Sequence, residues 1–263
     1  MSETAVSMQI IDPLALFRLD GQVIIVTGAS SGLGDRFARV LHAAGATVVV
    51  AARRALRLDR LVAELSGAVA IAADLSVSQD RERLVAETID RLGTVHGLIN
   101  NAGVGRMVAI EDEDLDTFRQ AMEVNVTALW HLSKLVAVPM VAQRYGAIVN
   151  IASMLGHVGS TPVKQAHYCA SKGAVVNLTR ELALQWARKG IHVNALCPGW
   201  FDSEMTVGMD TDEGSQRFIS TNSPIPRMGE THELDGALLL LASRASTFMT
   251  GQSVIVDGGW TAR

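Results

Sequence analysis

Short β-branched runs alternate along this chain with stretches of helical periodicity, the pattern of a parallel sheet covered by helices on both faces. Strands are predicted at Val23–Val26, Thr47–Ala51, Val69–Ala72, Leu98–Asn100, Ala147–Ile151, His192–Leu196 and Ser253–Val256. Between them, Phe37, Val40, Leu41 and Ala44 share one helical face, as do Leu58, Leu61, Val62 and Leu65. Further helices are predicted at Ser78–Leu92, Leu115–Ala137, Ala166–Lys189 and Glu230–Ser243. No Pro- or Ser-rich linker and no fixed-period repeat divides the chain, so residues 19–263 read as a single domain behind an N-terminal extension, 1–18. The least regular stretch, Asp202–Arg227, reads as a long loop that covers a substrate.

Composition narrows the function. With 48% hydrophobic residues the chain buries a sizeable core, which excludes wholesale disorder. Its 23 basic and 27 acidic residues, with 5% aromatics, give neither a basic face nor stacking platforms for nucleic acid. Cys169 and Cys197 form no CxxC pair, which excludes a disulfide framework and a Cys-rich zinc site and suits a reducing compartment. The N-terminus is acidic where a signal peptide would be basic, and no uninterrupted apolar run reaches bilayer length. A cytoplasmic protein with no membrane association is expected.

The candidate chemistry lies at the carboxyl ends of the strands, where open α/β sheets bind ligands. The first strand runs into Thr27-Gly28-Ala29-Ser30-Ser31-Gly32-Leu33-Gly34. Its glycines allow a sharp turn and a close approach to a pyrophosphate, and the following helix offers free N–H groups to the phosphates. The spacing is GxxxGxG instead of GxGxxG, and a purely structural turn is the alternative. After the second strand, where a carboxylate would hold the ribose hydroxyls of NAD, stand Ala52, Arg53 and Arg54. Arg53 can clamp a 2′-phosphate, which favours NADP(H) over NAD(H); two solvated arginines are the alternative. Asp74, Asn100-Asn101-Ala102-Gly103, Ser153 and Pro198-Gly199 follow the third to sixth strands in turn. Tyr168 and Lys172, four apart on the helix after Ser153, share a face, so an ammonium can lie near a phenol and favour its ionised form.

TGASSGLG, NNAG, Ser153 with Tyr168 and Lys172 in YCASK, PG after the sixth strand and the tail VDGGWT together resemble the short-chain dehydrogenase/reductase family over about Leu19 to Thr261. The resemblance implies a Rossmann-type, doubly wound sheet of seven parallel strands, a nicotinamide cofactor and a homotetramer. It implies Tyr168 as general acid/base, Lys172 holding the nicotinamide ribose and lowering the phenol pKa, and Ser153 bonding the substrate oxygen. Asn125 would hold a water that links Lys172 to solvent. Independently, Asn125 falls within the apolar face of Phe118, Met122, Leu129 and Leu132, where a buried amide needs partners; a satisfied structural Asn is the alternative. Gly28, Ser30, Ser31, Gly32, Leu33 and Gly34 would cradle the phosphates. Asp74 and Leu75 would contact the adenine, and Asn101, with Ala102 and Gly103, the adenosine ribose side. Pro198, Gly199 and Ser203 would flank the nicotinamide. Ser203 stands where the family often has Thr, and Ser30 and Ser31 stand where some NADP-using members place a basic residue.

Other residues carry less. His157 and His167 flank the site and could touch substrate, but no ligand spacing among the seven histidines points to a catalytic metal. Cys169 reads as a core thiol, and the acidic run Glu111–Asp116 as a solvated helix start. The leading expectation is an NADP(H)-dependent oxidoreductase acting on a small, largely uncharged ketone or secondary alcohol. The alternatives are a 3-oxoacyl thioester reductase and a dinucleotide-binding sensor without turnover. The covering loop bears Asp202, Glu204, Asp210, Asp212 and Glu213 against Arg217 and Arg227, a balance expected to repel an acidic carrier protein. Trp200, Phe201, Met205, Val207 and Met209 are expected to supply apolar contact surface near the nicotinamide.

Overall fold

The computed structural model describes residues 12–160, 162–204, 206–209 and 211–262. The first eleven residues of the expected extension, together with Met205 and Asp210 of the covering loop, lie outside them. Seven parallel strands form one sheet: β1 (Val23–Thr27), β2 (Thr47–Ala52), β3 (Val69–Ala72), β4 (Gly97–Asn100), β5 (Gly146–Ile151), β6 (Ile191–Pro198) and β7 (Ser253–Val256). Their order is β3-β2-β1-β4-β5-β6-β7. This is the Rossmann-type, doubly wound α/β fold expected from the sequence. The chain leaves β1 on one side for β2 and β3 and returns on the other for β4, so the crevice between the ends of β1 and β4 is the topological switch point.

Strand side chains alternate between two apolar layers. On one face Ile24 and Val26 pack with Phe37 and Leu41 of α1 (Gly32–Ala43), Leu58 and Leu61 of α2 (Ala55–Glu64), and Leu238 and Leu241 of the last helix. On the other, Val23 and Ile25 meet Leu84 and Val85 of α3 (Ser78–Leu92) and the helices that follow β4 and β5. A buried polar ladder crosses that layer. Asn100 Nδ2 donates to Asn150 Oδ1 at 2.9 Å and to Ser133 Oγ at 3.1 Å, and Asn150 Nδ2 donates to Thr179 Oγ1 at 3.0 Å. Satisfied buried amides at the ends of β4 and β5 fix how these strands meet the helices behind them.

The helix expected at Leu115–Ala137 is not continuous. It forms α4 (Leu115–Met122), a five-residue π-helical segment (Glu123–Thr127) and α5 (Ala128–Gln143). An extra residue in a turn rotates the following face by about 100°. Leu129 and Leu132 are therefore core residues, whereas Phe118 is 38% exposed instead of sharing their face. By length and composition Leu115–Gln143 could cross a membrane. Here its apolar residues Leu132, Val136 and Met140 are packed in the core.

α6 (Ala166–Trp186) continues as one 3-10 turn to Lys189, matching the predicted end. The segment expected to be irregular contains a helix, α7 (Glu213–Asn222), capped by Asp212, which accepts from Ser215 N at 2.7 Å. Ile219 anchors α7 in the interior. The last predicted helix begins as a 3-10 turn and becomes α8 (Asp235–Ala242).

Leu132 is fully buried between α5 and the sheet. Leu132→Ala should cost about 2–5 kcal/mol by loss of transfer energy and creation of a cavity. Chemical denaturation with an unchanged m-value is the check; a loss below about 1 kcal/mol would contradict this packing.

Candidate active site at the sheet switch point

The turn after β1 is held so closely that only glycine fits at two of its positions. A Cβ on Gly28, whose φ is +66°, would lie 2.9 Å from Ala102 Cα, and one on Gly34 would collide with the carbonyl of Gly28. Asn101 Nδ2 donates to Thr27 O at 3.0 Å and Gly28 O at 3.4 Å. Thr27 Oγ1 accepts from the amides of Asn101 and Ala102, each at 3.0 Å, and donates to Ile99 O. Ser31 caps α1 with extended backbone and no side-chain cap bond, so the first amides of α1 face the crevice.

That crevice is a cleft of about 370 Å³. It is lined by every residue expected to hold the cofactor: Gly28, Ser30, Ser31, Gly32, Leu33, Gly34, Arg53, Asp74, Leu75, Asn101, Ala102, Gly103, Tyr168, Lys172, Pro198, Gly199 and Ser203. Ser153 lines it as well; Asn125 does not. Asp74 accepts from the hydroxyl and amide of Ser76, which hold its carboxyl below the usual carboxylate range, with a smaller pull from Arg53. Sequence reasoning missed Arg54, whose guanidinium reaches Ser30 Oγ at 2.8 Å and Ser31 Oγ at 2.7 Å. The basic group absent from the turn itself is thus supplied from the start of α2.

At the other end of the cleft, Ser153 Oγ accepts from Leu155 N at 3.1 Å and hydrogen-bonds the Tyr168 phenol. Lys172 Nζ donates to Ile151 O at 2.7 Å and lies 5.5 Å from the Tyr168 ring centroid. The expected lowering of the phenol pKa does not hold in this arrangement. Burial pushes Tyr168 up to about 12, against the pull of the Ser153 hydrogen bond, and burial pulls Lys172 down to about 8. The ammonium is directed at a backbone carbonyl beside the phenol.

Asn125 sits in the π-helical segment with every amide atom engaged. Oδ1 accepts from Val104 N at 2.8 Å; Nδ2 donates to Val104 O and Ser171 Oγ, both at 2.9 Å. It therefore holds the loop segment following Gly103 and braces α6. Its Oδ1 and Lys172 Nζ lie 3.4 and 3.5 Å from the point a Cβ on Gly103 would take, so they flank the same spot.

His167 does not face the cleft. It is buried, paired through Nδ1 with the buried carboxylate of Glu113, while Nε2 accepts from Arg106 N at 3.1 Å. Glu113, expected in a solvated run, instead ties the loop after β4 to α6, and Asp114 caps α4 by accepting from Thr117 N. His157 turns to Cys197 Sγ at 3.6 Å. Cys169 is half-buried, and burial raises its thiol, as befits a packing residue. Among the described residues no group of three His, Cys, Asp or Glu side chains could hold a metal.

Of the apolar residues expected near the nicotinamide, Trp200 and Phe201 line the cleft. Val207 is 76% exposed, and Met209 is buried away from the cleft. The C-terminal tail supports this wall. Asp257 accepts from Gly259 N and from Thr261 N and Oγ1, which sets Trp260 edge-on to Trp200 at 5.7 Å and against Phe218 at 5.5 Å. Gly199 passes so near that a Cβ there would lie 2.6 Å from Asp257 Cα.

The residues present fit a nicotinamide dinucleotide. A glycine-tight turn leads into uncapped helix amides, arginines stand by the turn serines, and a Ser/Tyr/Lys group stands at the far end of one continuous cleft.

Comparison with known proteins agrees with that geometry. A family model described as enoyl-(acyl carrier protein) reductase matches residues 28–261. The chain is 41% identical to galactitol 2-dehydrogenase (L-tagatose-forming) of Cereibacter sphaeroides, over 95% of this chain and 99% of that protein. Among solved structures, a short-chain type dehydrogenase/reductase from Mycobacterium marinum superposes with a TM-score of 0.90 at 34% identity, covering 95% of this chain and 99% of the other. A gluconate 5-dehydrogenase from Burkholderia cenocepacia, in complex with NADP and tartrate, gives 0.90 at 34% identity over 96% and 100%.

Lys172 generates a pH signature. Its folded pKa of about 8 lies below the ordinary lysine value of 10.5, so between those values the unfolded chain binds more protons and stability rises with pH. Wild type should gain on the order of 1–3 kcal/mol relative to Lys172→Met between pH 8 and 10.5, read by denaturant titration. Parallel curves for the two proteins would contradict the burial of a titrating ammonium.

Proposed function

The chain belongs to the short-chain dehydrogenase/reductase family, and on that premise we propose that it is an NADP(H)-dependent oxidoreductase interconverting a small secondary alcohol and its ketone. One observation carries the reading: Ser153, Tyr168 and Lys172 line the same cleft as the Gly28–Gly34 turn. The dinucleotide, when bound, supplies the chemistry that carbonyl reduction needs, a hydride at the nicotinamide ring. Gly28, Ser30, Ser31, Gly32, Leu33 and Gly34 hold its phosphates, and Arg53 and Arg54 favour the 2′-phosphorylated form over NAD(H). Asp74, Leu75, Asn101, Ala102 and Gly103 receive the adenosine half, and Pro198, Gly199 and Ser203 the nicotinamide half.

Ser153 orients the substrate oxygen by hydrogen bonding, and Tyr168 gives or takes the proton at that oxygen. A phenol held neutral by burial is the competent form for donating a proton to a reduced carbonyl. Lys172 anchors the nicotinamide ribose beside Tyr168. Asn125 fixes the loop that walls the site and, with Lys172, borders the spot beside Gly103 through which protons reach solvent. The 202–227 segment acts as the substrate lid of a single 19–263 domain. The protein works as a homotetramer in the cytoplasm.

For the substrate we favour a polyol or keto-sugar of modest size. Galactitol 2-dehydrogenase is named for a polyol, and gluconate 5-dehydrogenase for a polyhydroxylated sugar acid. Gln120, Gln165 and Ser153 give this cleft polar groups among Met107, Met154 and Trp200. A 3-oxoacyl thioester is the second reading. The apolar side chains of Val124, Met154 and Leu155 favour it, and Glu204, counted from the sequence as a repelling charge, is neutralised by Arg54 and Arg57.

Tyr168→Phe keeps the ring and removes the exchangeable proton. Turnover on a panel of polyols, ketones and acyl thioesters, followed at the reduced-nicotinamide absorbance band, should fall by about 10² or more, with cofactor affinity within about twofold of wild type. Near-wild-type kcat would contradict the role of Tyr168. Thioesters outpacing every polyol and ketone would select the second reading.

A further inference from the structure

Two guanidinium groups meet one carboxylate at the edge of the cleft, with two serine hydroxyls on one of them. Arg54 grips Glu204 with both prongs, Nη1 to Oε1 at 2.7 Å and Nη2 to Oε2 at 2.9 Å. The same guanidinium donates to Ser30 Oγ from Nε at 3.0 Å and from Nη2 at 2.8 Å, and to Ser31 Oγ at 2.7 Å. Arg57 Nη1 adds a bond to Glu204 Oε1 at 2.8 Å. The Arg54 hydrogen bonds hold the Glu204 carboxyl down at about 2, so it is an anion throughout the neutral range.

This cluster joins distant parts of the chain. Glu204 lies 150 residues beyond Arg54, on the segment that follows β6. Its backbone rests over the start of α1: a Cβ on Gly32 would meet Ser203 Cα at 3.7 Å and Glu204 N at 4.0 Å. Arg54, Arg57 and Glu204 have side chains 41%, 49% and 50% exposed, so exchanging one anion for another here disturbs no core packing. Arg54, Ser30, Ser31 and Glu204 all line the cleft.

Two guanidinium groups and two hydroxyls make a seat for an anion. A phosphate monoester, with up to two charges and three acceptor oxygens, suits it better than one carboxylate does. We propose that Glu204 occupies, as an internal anion, the seat taken by the 2′-phosphate of NADP(H), so that cofactor binding exchanges one anion for the other and Glu204 sets cofactor selectivity. The inference rests on the NADP(H) reading above and adds a built-in competitor to it. A cofactor with only hydroxyls on that ribose has nothing to exchange and leaves the Arg54–Glu204 pair in place. Release of Glu204 also lifts the Ser203–Glu204 backbone from Gly32, which links phosphate recognition to the segment leading into the lid.

The test is calorimetric titration of wild type and Glu204→Gln with NADPH, NADH and adenosine 2′-monophosphate. The variant should bind NADPH and the monophosphate about two- to tenfold tighter, the range expected for removing an exposed but bidentate competitor. NADH affinity should stay within about twofold, and in an Arg54→Ala background the gain from Glu204→Gln should vanish. NADPH affinity that is unchanged or weaker in Glu204→Gln, or an equal gain for NADH, overturns the proposal while leaving the dinucleotide reading standing. Wild type that binds neither dinucleotide overturns both.

Discussion

Gly34 brings the first turn of α1 against the carbonyl of Gly28 and the Asn101 amide that bonds it, nearer than any side chain would permit. The rest of the site follows from this approach. It fixes α1 relative to the ends of β1 and β4, where the strand order reverses and a crevice opens. Thr27, through bonds to Ile99, Asn101 and Ala102, makes the two strand ends one rigid unit. Behind it, the ladder from Asn100 through Asn150 to Thr179 carries the same alignment across β5 to α6, the helix that bears Tyr168 and Lys172. The two halves of the cleft are thus registered through the sheet.

The electrostatics of the two halves differ for a physical reason. At the outer edge, Arg54, Arg57 and Glu204 are about half exposed and paired with one another, an arrangement that suits an exchange of partners with an ionic ligand. At the inner end, burial dominates and pushes Tyr168 and Lys172 toward their neutral forms. A neutral phenol beside a hydroxyl is set to donate a proton, and an amine whose pKa lies near 8 is sensitive to any charge brought close to it. The His167–Glu113 pair stiffens this end from behind, because it joins the loop after β4 to the residue preceding Tyr168.

Much of this was legible in the sequence alone. The strands were, because runs such as VIIV are buried on both faces and leave no polar alternation to confuse their limits. The glycine turn and the Ser153, Tyr168 and Lys172 set were legible because their spacing alone puts them at strand ends and on one helical face. The π-helical segment was not: an inserted residue changes the face without changing composition, and Phe118 was misplaced as a result. α7 was hidden by its polar surface and its single buried anchor, Ile219. Arg54 and Glu204, like His167 and Glu113, are long-range partners, and pairings across 150 or 54 residues leave no periodic trace. Neighbouring Arg53 and Arg54 differ only in which way each side chain leaves the end of β2, a property that the sequence does not carry.

The central claim is that this cleft moves a hydride between a secondary alcohol and NADP(H). It is tested most directly by incubating the protein with NADP⁺ and a polyol or small alcohol deuterated at the carbinol carbon, then locating the label by mass spectrometry. The account predicts one deuterium on the nicotinamide ring of the reduced cofactor, with none exchanged into water. Reduced cofactor without label, or no cofactor reduction across a panel of polyols and simple secondary alcohols, would contradict it.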